Sequence, residues 1–219
     1  MNIKGFGIFL ALIVVSIVIL NYKGYFYVTS YIVANEPKIE EYMNSSLTNT
    51  AFYALDKNKI RQQIQSEFSD VKDIGLKRNL NLSVTVFLEK RLAFAKSKIP
   101  GVFLSEEGIV FLDNLNAIEK SDMPTFSAFQ YDFNSPLLSV EQIGLLRQLQ
   151  NYPDFEIDLT KENEITLLLS DGPVITIDAT NKDYLEIGPA LNQMLTDIKG
   201  GTKKGSKLYV IGNKIIIKE

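Results

Sequence analysis

An α+β fold behind an apolar N-terminal helix is what this sequence predicts, and three observations predict it. The first is Gly5 to Tyr22, GFGIFLALIVVSIVILNY, a run without charge between Lys4 and Lys23. The second is a succession of helical and two-residue hydrophobic periods along the rest of the chain. The third is composition: 46% apolar and 22% charged residues are ordinary for a chain that packs a core.

The apolar run is read as a single transmembrane helix. At a rise of roughly 1.5 Å per residue its length is about 27 Å, near the hydrocarbon thickness of a bilayer. Twelve positions between Gly5 and Leu20 are Phe, Ile, Leu or Val, each favourable at the centre of a membrane helix. No small-x-small cleavage site follows, so the segment is expected to stay attached. The expected orientation places the N-terminus in the cytoplasm and the bulk of the chain outside it.

Composition removes several function classes. A net charge of −3 and a pI near 5.2 give a nucleic acid no electrostatic footing. Cysteine and histidine are both absent, which excludes disulfides, thiolate and imidazole metal sites, Cys nucleophiles and Ser-His-Asp triads. No cofactor motif stands in their place.

In chain order, Tyr25 to Val33 is aromatic and β-branched and reads as a strand. Asn35 is placed to cap a helix with Pro37 in its first turn and Ile39, Tyr42, Met43 and Leu47 on one face. Asp56 caps a second helix, with Leu55 and Ile60 as a hydrophobic staple and Ile60, Ile64 and Phe68 in helical period. From Val71 the period becomes two. Arg78 and Asn79 form a turn, and Leu80, Leu82, Val84, Val86 and Leu88 take every even position of the returning strand. Strand, helix, helix, strand, strand is the arrangement of a POTRA module.

Glu89 to Ala95 leads out of this unit into a second hairpin, Val102 to Leu104 and Ile109 to Phe111 about Glu106-Glu107-Gly108, before Met123-Pro124. Ser139 and Gln142 form a capping box for a helix lined by Ile143, Leu146 and Leu149. Two alternating strands follow, Phe155 to Leu159 and Ile165 to Leu169, then the turn Ser170-Asp171-Gly172 and a strand from Val174 to Ile177. A last helix carries Tyr184, Ile187, Leu191, Leu195 and Ile198, with a kink or late start at Pro189. Lys207 to Lys218 closes the chain as two strands about Gly212-Asn213.

This succession resembles the FtsQ/DivIB family of bacterial division proteins. In that family one membrane helix leads to a POTRA domain, an acidic-basic motif, a hairpin with an intervening Gly, a Leu-Pro, and a β domain closed by a strand and a Gly-Asn-Lys turn. Leu92 stands where the family usually has Pro, and Phe94 where it has Val. Leu208 and Val210 stand where its terminal Asp and Arg would fall. The organisation is therefore read as residues 1–23 for the short cytoplasmic end and membrane helix, 24–96 for the POTRA-like domain, and 97–219 for a β-rich domain with two helices.

The resemblance implies a non-enzymatic membrane scaffold for septum formation at the division site. Its partners would be the membrane and proteins of the FtsB/DivIC and FtsL type, with no small-molecule substrate and no cofactor. By the same analogy the partner docks on the last strands, at Tyr209, Ile211, Ile215 and Ile217. An edge strand can accept a partner's strand through its unpaired backbone groups. Ile216→Pro is expected to remove a donor from that edge and abolish capture. Lys207, Lys214 and Lys218 are equally placed to guard the edge against aggregation.

Two rivals are a scaffold of a secretion or pilus assembly system and a surface hydrolase. The hydrolase would use carboxylates such as Glu106 and Glu107, or Asp154, Glu156 and Asp158, which read instead as a turn and a solvated strand face. Gly200-Gly201-Thr202-Lys203-Lys204-Gly205-Ser206-Lys207 resembles a phosphate loop but has Ser-Lys where Lys-Ser or Lys-Thr is needed, and it leaves a helix to enter a strand. Its reading is a solvated connector.

Overall fold

The computed structural model describes residues 3–22, 26–47, 49–116, 118, 123–133, 135–149, 155–169, 172–180, 182–201 and 207–218. The fold is α+β, and it divides into two compact units, Met1–Lys90 and Arg91–Glu219. The division falls earlier than the boundary at residue 96, because Ala93–Ser97 pairs as a strand within the second unit's sheet.

The first unit begins with helix α1, Ile3–Tyr22. Its apolar side chains, Phe9, Leu12 and Val18 among them, are exposed. Among the described residues, however, no helix is long and apolar enough to cross a membrane. This overturns the transmembrane span expected from the sequence.

After α1 come β1 (Ser30–Val33), α2 (Pro37–Ser46), α3 (Lys57–Glu67), β2 (Val71–Arg78) and β3 (Ser83–Lys90). The sheet order is β1-β3-β2, with β1 parallel and β2 antiparallel to the central β3. Ile39 and Met43 of α2 and Ile60 and Ile64 of α3 are buried with Tyr31, Val33, Ile74, Val84 and Val86 of the strands.

The α3 cap is the expected one. The Asp56 carboxylate accepts from the amides of Asn58 at 2.9 Å and Lys59 at 3.4 Å. The α2 cap differs: Glu36, not Asn35, occupies the N-cap and makes no side-chain cap bond. Asn35 instead takes φ +63° in the preceding turn, a conformation Asn tolerates. Leu80 and Leu82 also depart from the alternating strand. Both lie in the turn before β3, Leu80 fully exposed and Leu82 at φ +63°.

The second unit holds β4 (Ala93–Ser97), β5 (Val102–Ser105), β6 (Val110–Leu112), β7 (Thr125–Ala128), α4 (Val140–Gln148), β8 (Phe155–Leu159), β9 (Glu164–Leu169), β10 (Val174–Asp178), α5 (Gly188–Gly201), β11 (Lys207–Ile211) and β12 (Lys214–Lys218). These strands form one nine-stranded sheet in the order β12-β11-β10-β9-β8-β7-β4-β5-β6. β7 and β8 run parallel across α4, and β10 and β11 run parallel across α5. Both helices share one core with the sheet, in which Leu146, Leu191, Ile157, Ile175, Leu208 and Val210 are fully buried.

The capping box on α4 forms as expected: the Ser139 amide donates to Gln142 Oε1 at 2.7 Å, and the Gln142 amide to Ser139 Oγ at 3.2 Å. Gln142 Nε2 also donates to the Tyr184 hydroxyl at 2.6 Å, tying α4 to the turn before α5. Pro189 is accommodated by a late start. Lys182–Ile187 is a 3-10 turn and α5 begins at Gly188, so Pro189 falls in a first turn that needs no amide from it.

Candidate docking edge

β12 ends the nine-stranded sheet and, among the described residues, β11 is its one strand neighbour. The turn that creates it is Gly212-Asn213. Gly212 at φ +55° takes the first central position, as a two-residue type II′ hairpin loop requires, and its twist matches the flanking strands.

The register then assigns every side chain to a face. Leu208 lies opposite Ile217, and Val210 opposite Ile215. Leu208 and Val210 are fully buried, so Ile215 and Ile217 point to the core side of the sheet. Ile215 packs against the core, whereas Ile217 at the margin stays 51% exposed. Tyr209 lies opposite Ile216, and Ile211 opposite Lys214, on the other face.

The four predicted docking residues are therefore brought together on one hairpin but divided between its faces. Ile216, which the sequence reading left out of that set, sits on the open face beside Tyr209 and is 43% exposed. No signal in Lys-Ile-Ile-Ile-Lys distinguishes its three isoleucines. Only the pairing with β11 does.

The same register assigns the backbone groups. Around a two-residue loop the flanking pair, Ile211 and Lys214, exchanges both ladder bonds, and every second pair does so after it. Tyr209 with Ile216 and Lys207 with Lys218 follow that pattern. The N–H and C=O groups of Ile215 and Ile217 consequently point outward, away from β11. Ile216 is thus the wrong position for the proline substitution, because its amide belongs to the hairpin itself.

An edge in the first unit is built differently. The Tyr31 amide donates to Asn44 Oδ1 at 2.8 Å, and Asn44 Nδ2 donates back to the Tyr31 carbonyl at 3.0 Å. The Val33 amide donates to Glu40 Oε2 at 2.7 Å. Side chains of α2 thereby occupy the free side of β1 as a strand would. Among the described residues β12 has no such closure.

Lys218 lies 5.0 Å from the centroid of the Tyr209 ring, a cation–π contact on the open face. Leu208 and Val210 of β11 are buried in the core and carry no charge.

The other candidates resolve into local pairing. Glu106 meets Arg147 at 2.5 Å and Glu107 meets Arg91 at 3.6 Å. Glu156 pairs with Lys98, which holds the lysine above its usual range, chiefly through their hydrogen bond. The Asp158 carboxylate accepts from the Thr160 amide at 2.9 Å. A cavity of about 590 Å³ is lined by residues including Phe129, Gln142, Glu162 and Glu164, and Glu106, Glu107, Glu156 and Asp158 are not among its lining. Asp158 lines a smaller one of about 260 Å³ with Lys161, Glu164 and Tyr209. Asp154, the turn residues Ser170 and Asp171, and Lys203 and Lys204 of the glycine-rich connector lie outside the described residues.

No family model matches the chain, and no curated protein matches it.

Proposed function

We propose that the chain is a non-enzymatic scaffold of the bacterial division machinery, of the FtsQ/DivIB type, working on the extracytoplasmic side of the cell membrane at the septum. The observation that carries the reading is the backbone edge of β12, unclosed among the described residues, at the strand where that family's partners would dock. β12 presents the outward N–H and C=O groups of Ile215 and Ile217 to an incoming strand, and strand addition needs no catalytic group. The partners in this reading are proteins of the FtsB/DivIC and FtsL type. The exposed apolar side chains of α1 keep the chain at the lipid surface. Partners held at the same membrane meet it at high effective concentration, so a modest interface suffices for capture.

A fluorescent fusion of the full chain, expressed at native level in dividing cells and still complementing a deletion, tests the assignment. A midcell band that arrives with constriction is the expected result. Uniform or polar fluorescence would contradict it and favour a scaffold of a secretion or pilus assembly system.

A further inference from the structure

The two lysines of β12 stand at either end of its open-face row: Lys214, Ile216, Lys218. Both are exposed. We infer that this row makes β12 a selective edge, closed to a second copy of the same chain and open to an extended segment with acidic residues flanking an apolar centre. The inference rests on the reading of β12 as the docking edge and names the chemistry of what docks there.

The geometry of an added antiparallel strand carries the argument. On the outward side of β12, Ile215 and Ile217 become the hydrogen-bonded positions, so Lys214, Ile216 and Lys218 fall in non-hydrogen-bonded pairs. In such pairs the Cα atoms are only about 4.5 Å apart and the side chains lie closest. The side chains that select a partner are therefore the two lysines and the isoleucine between them.

A second β12 docked about Ile216 would place Lys214 against the copy's Lys218 and Lys218 against its Lys214. Like charges directly opposite destabilise a pair of strands. An incoming acidic-apolar-apolar-apolar-acidic segment meets the reverse arrangement. Its acids face Lys214 and Lys218, its central side chain faces Ile216, and its other two apolar side chains continue the core-side row of Ile215 and Ile217. The pattern reads the same in both directions, so it fits parallel or antiparallel approach.

The two ends of the row are unequal. Lys218 faces Lys207 across the hairpin on the same face, whereas Lys214 faces Ile211. The acid beside Lys218 thus meets two cations and contributes more than the acid beside Lys214.

The test uses the full chain in detergent micelles and two capped peptides, Ser-Gly-Glu-Ile-Val-Ile-Glu-Gly-Ser and its counterpart with Lys for both Glu, titrated while amide exchange is followed at Ile215 and Ile217. The expected result is tighter binding of the acidic peptide by at least about tenfold, shrinking at high salt. Lys214→Glu/Lys218→Glu is expected to invert the order. Lys214→Glu alone makes the row self-complementary and is expected to dimerise in sedimentation, with the wild-type edge remaining unpaired. These substitutions lie on an exposed margin, and unchanged circular dichroism checks the fold. Equal protection by both peptides overturns the charge selection and leaves the docking edge standing, as does wild-type self-association through these amides. No protection by either peptide overturns the selection and the edge together.

Discussion

At Gly108 the backbone takes φ +78°, and a Cβ built there would lie 1.8 Å from the carbonyl oxygen of Leu138. The close approach has a cause. The Gly108 carbonyl accepts from the amides of Leu137 at 2.8 Å and Leu138 at 3.2 Å, drawing the segment before α4 onto the turn between β5 and β6. Gly212 shares the positive φ, at +55°, yet its Cβ would meet nothing nearer than 4.0 Å. Gly108→Ala is therefore expected to cost more than about 2 kcal/mol in urea unfolding, adding a backbone clash to the left-handed penalty. Gly212→Ala carries only that penalty, about 1 kcal/mol or somewhat more. Equal losses for the two would show that the Leu138 carbonyl moves aside freely.

Among the elements, the β11–β12 hairpin concentrates the functional argument. Ile217→Pro removes an outward N–H at an edge where proline is tolerated, so the fold is expected to survive while partner capture is lost. Ile216→Pro removes a ladder bond to Tyr209 and is expected to loosen the hairpin as well. Pull-down and thermal unfolding of the two variants separate these outcomes. Retained capture by a folded Ile217→Pro chain would place docking elsewhere. What the sequence disclosed of these elements follows the range of the forces involved. The Asp56 cap, the Ser139 and Gln142 box and the late start at Pro189 are set by neighbours within a few residues. Lys-Ile-Ile-Ile-Lys carries no alternation, so the faces of Ile215, Ile216 and Ile217 depend on Leu208 and Val210 being buried across the ladder. Leu80 and Leu82 extended the strand's even-numbered pattern but were claimed by the turn. The cap expected at Asn35 gave way to that residue's own left-handed conformation.

Over the whole molecule, the contrast between edges gives the account its centre. β1 is closed by Asn44 and Glu40 of α2. Among the described residues, β12 ends the nine-stranded sheet with no side chain closing its outward side. The sequence reading placed an edge at the last strands, but the closure of β1 by α2 and the strand order across parallel pairs such as β10 and β11 were not legible, because both are fixed by long-range packing. The membrane span read from the apolar run is corrected, while the exposed apolar side chains that suggested it remain in α1. The most direct test of the docking edge is residue-resolved amide exchange on the full chain, with and without the extracytoplasmic segment of an FtsB/DivIC-type protein from the same cells. Strong slowing at Ile215 and Ile217, with Ile216 little changed, is the predicted result. Binding of that segment with the exchange of Ile215 and Ile217 unaltered would contradict it.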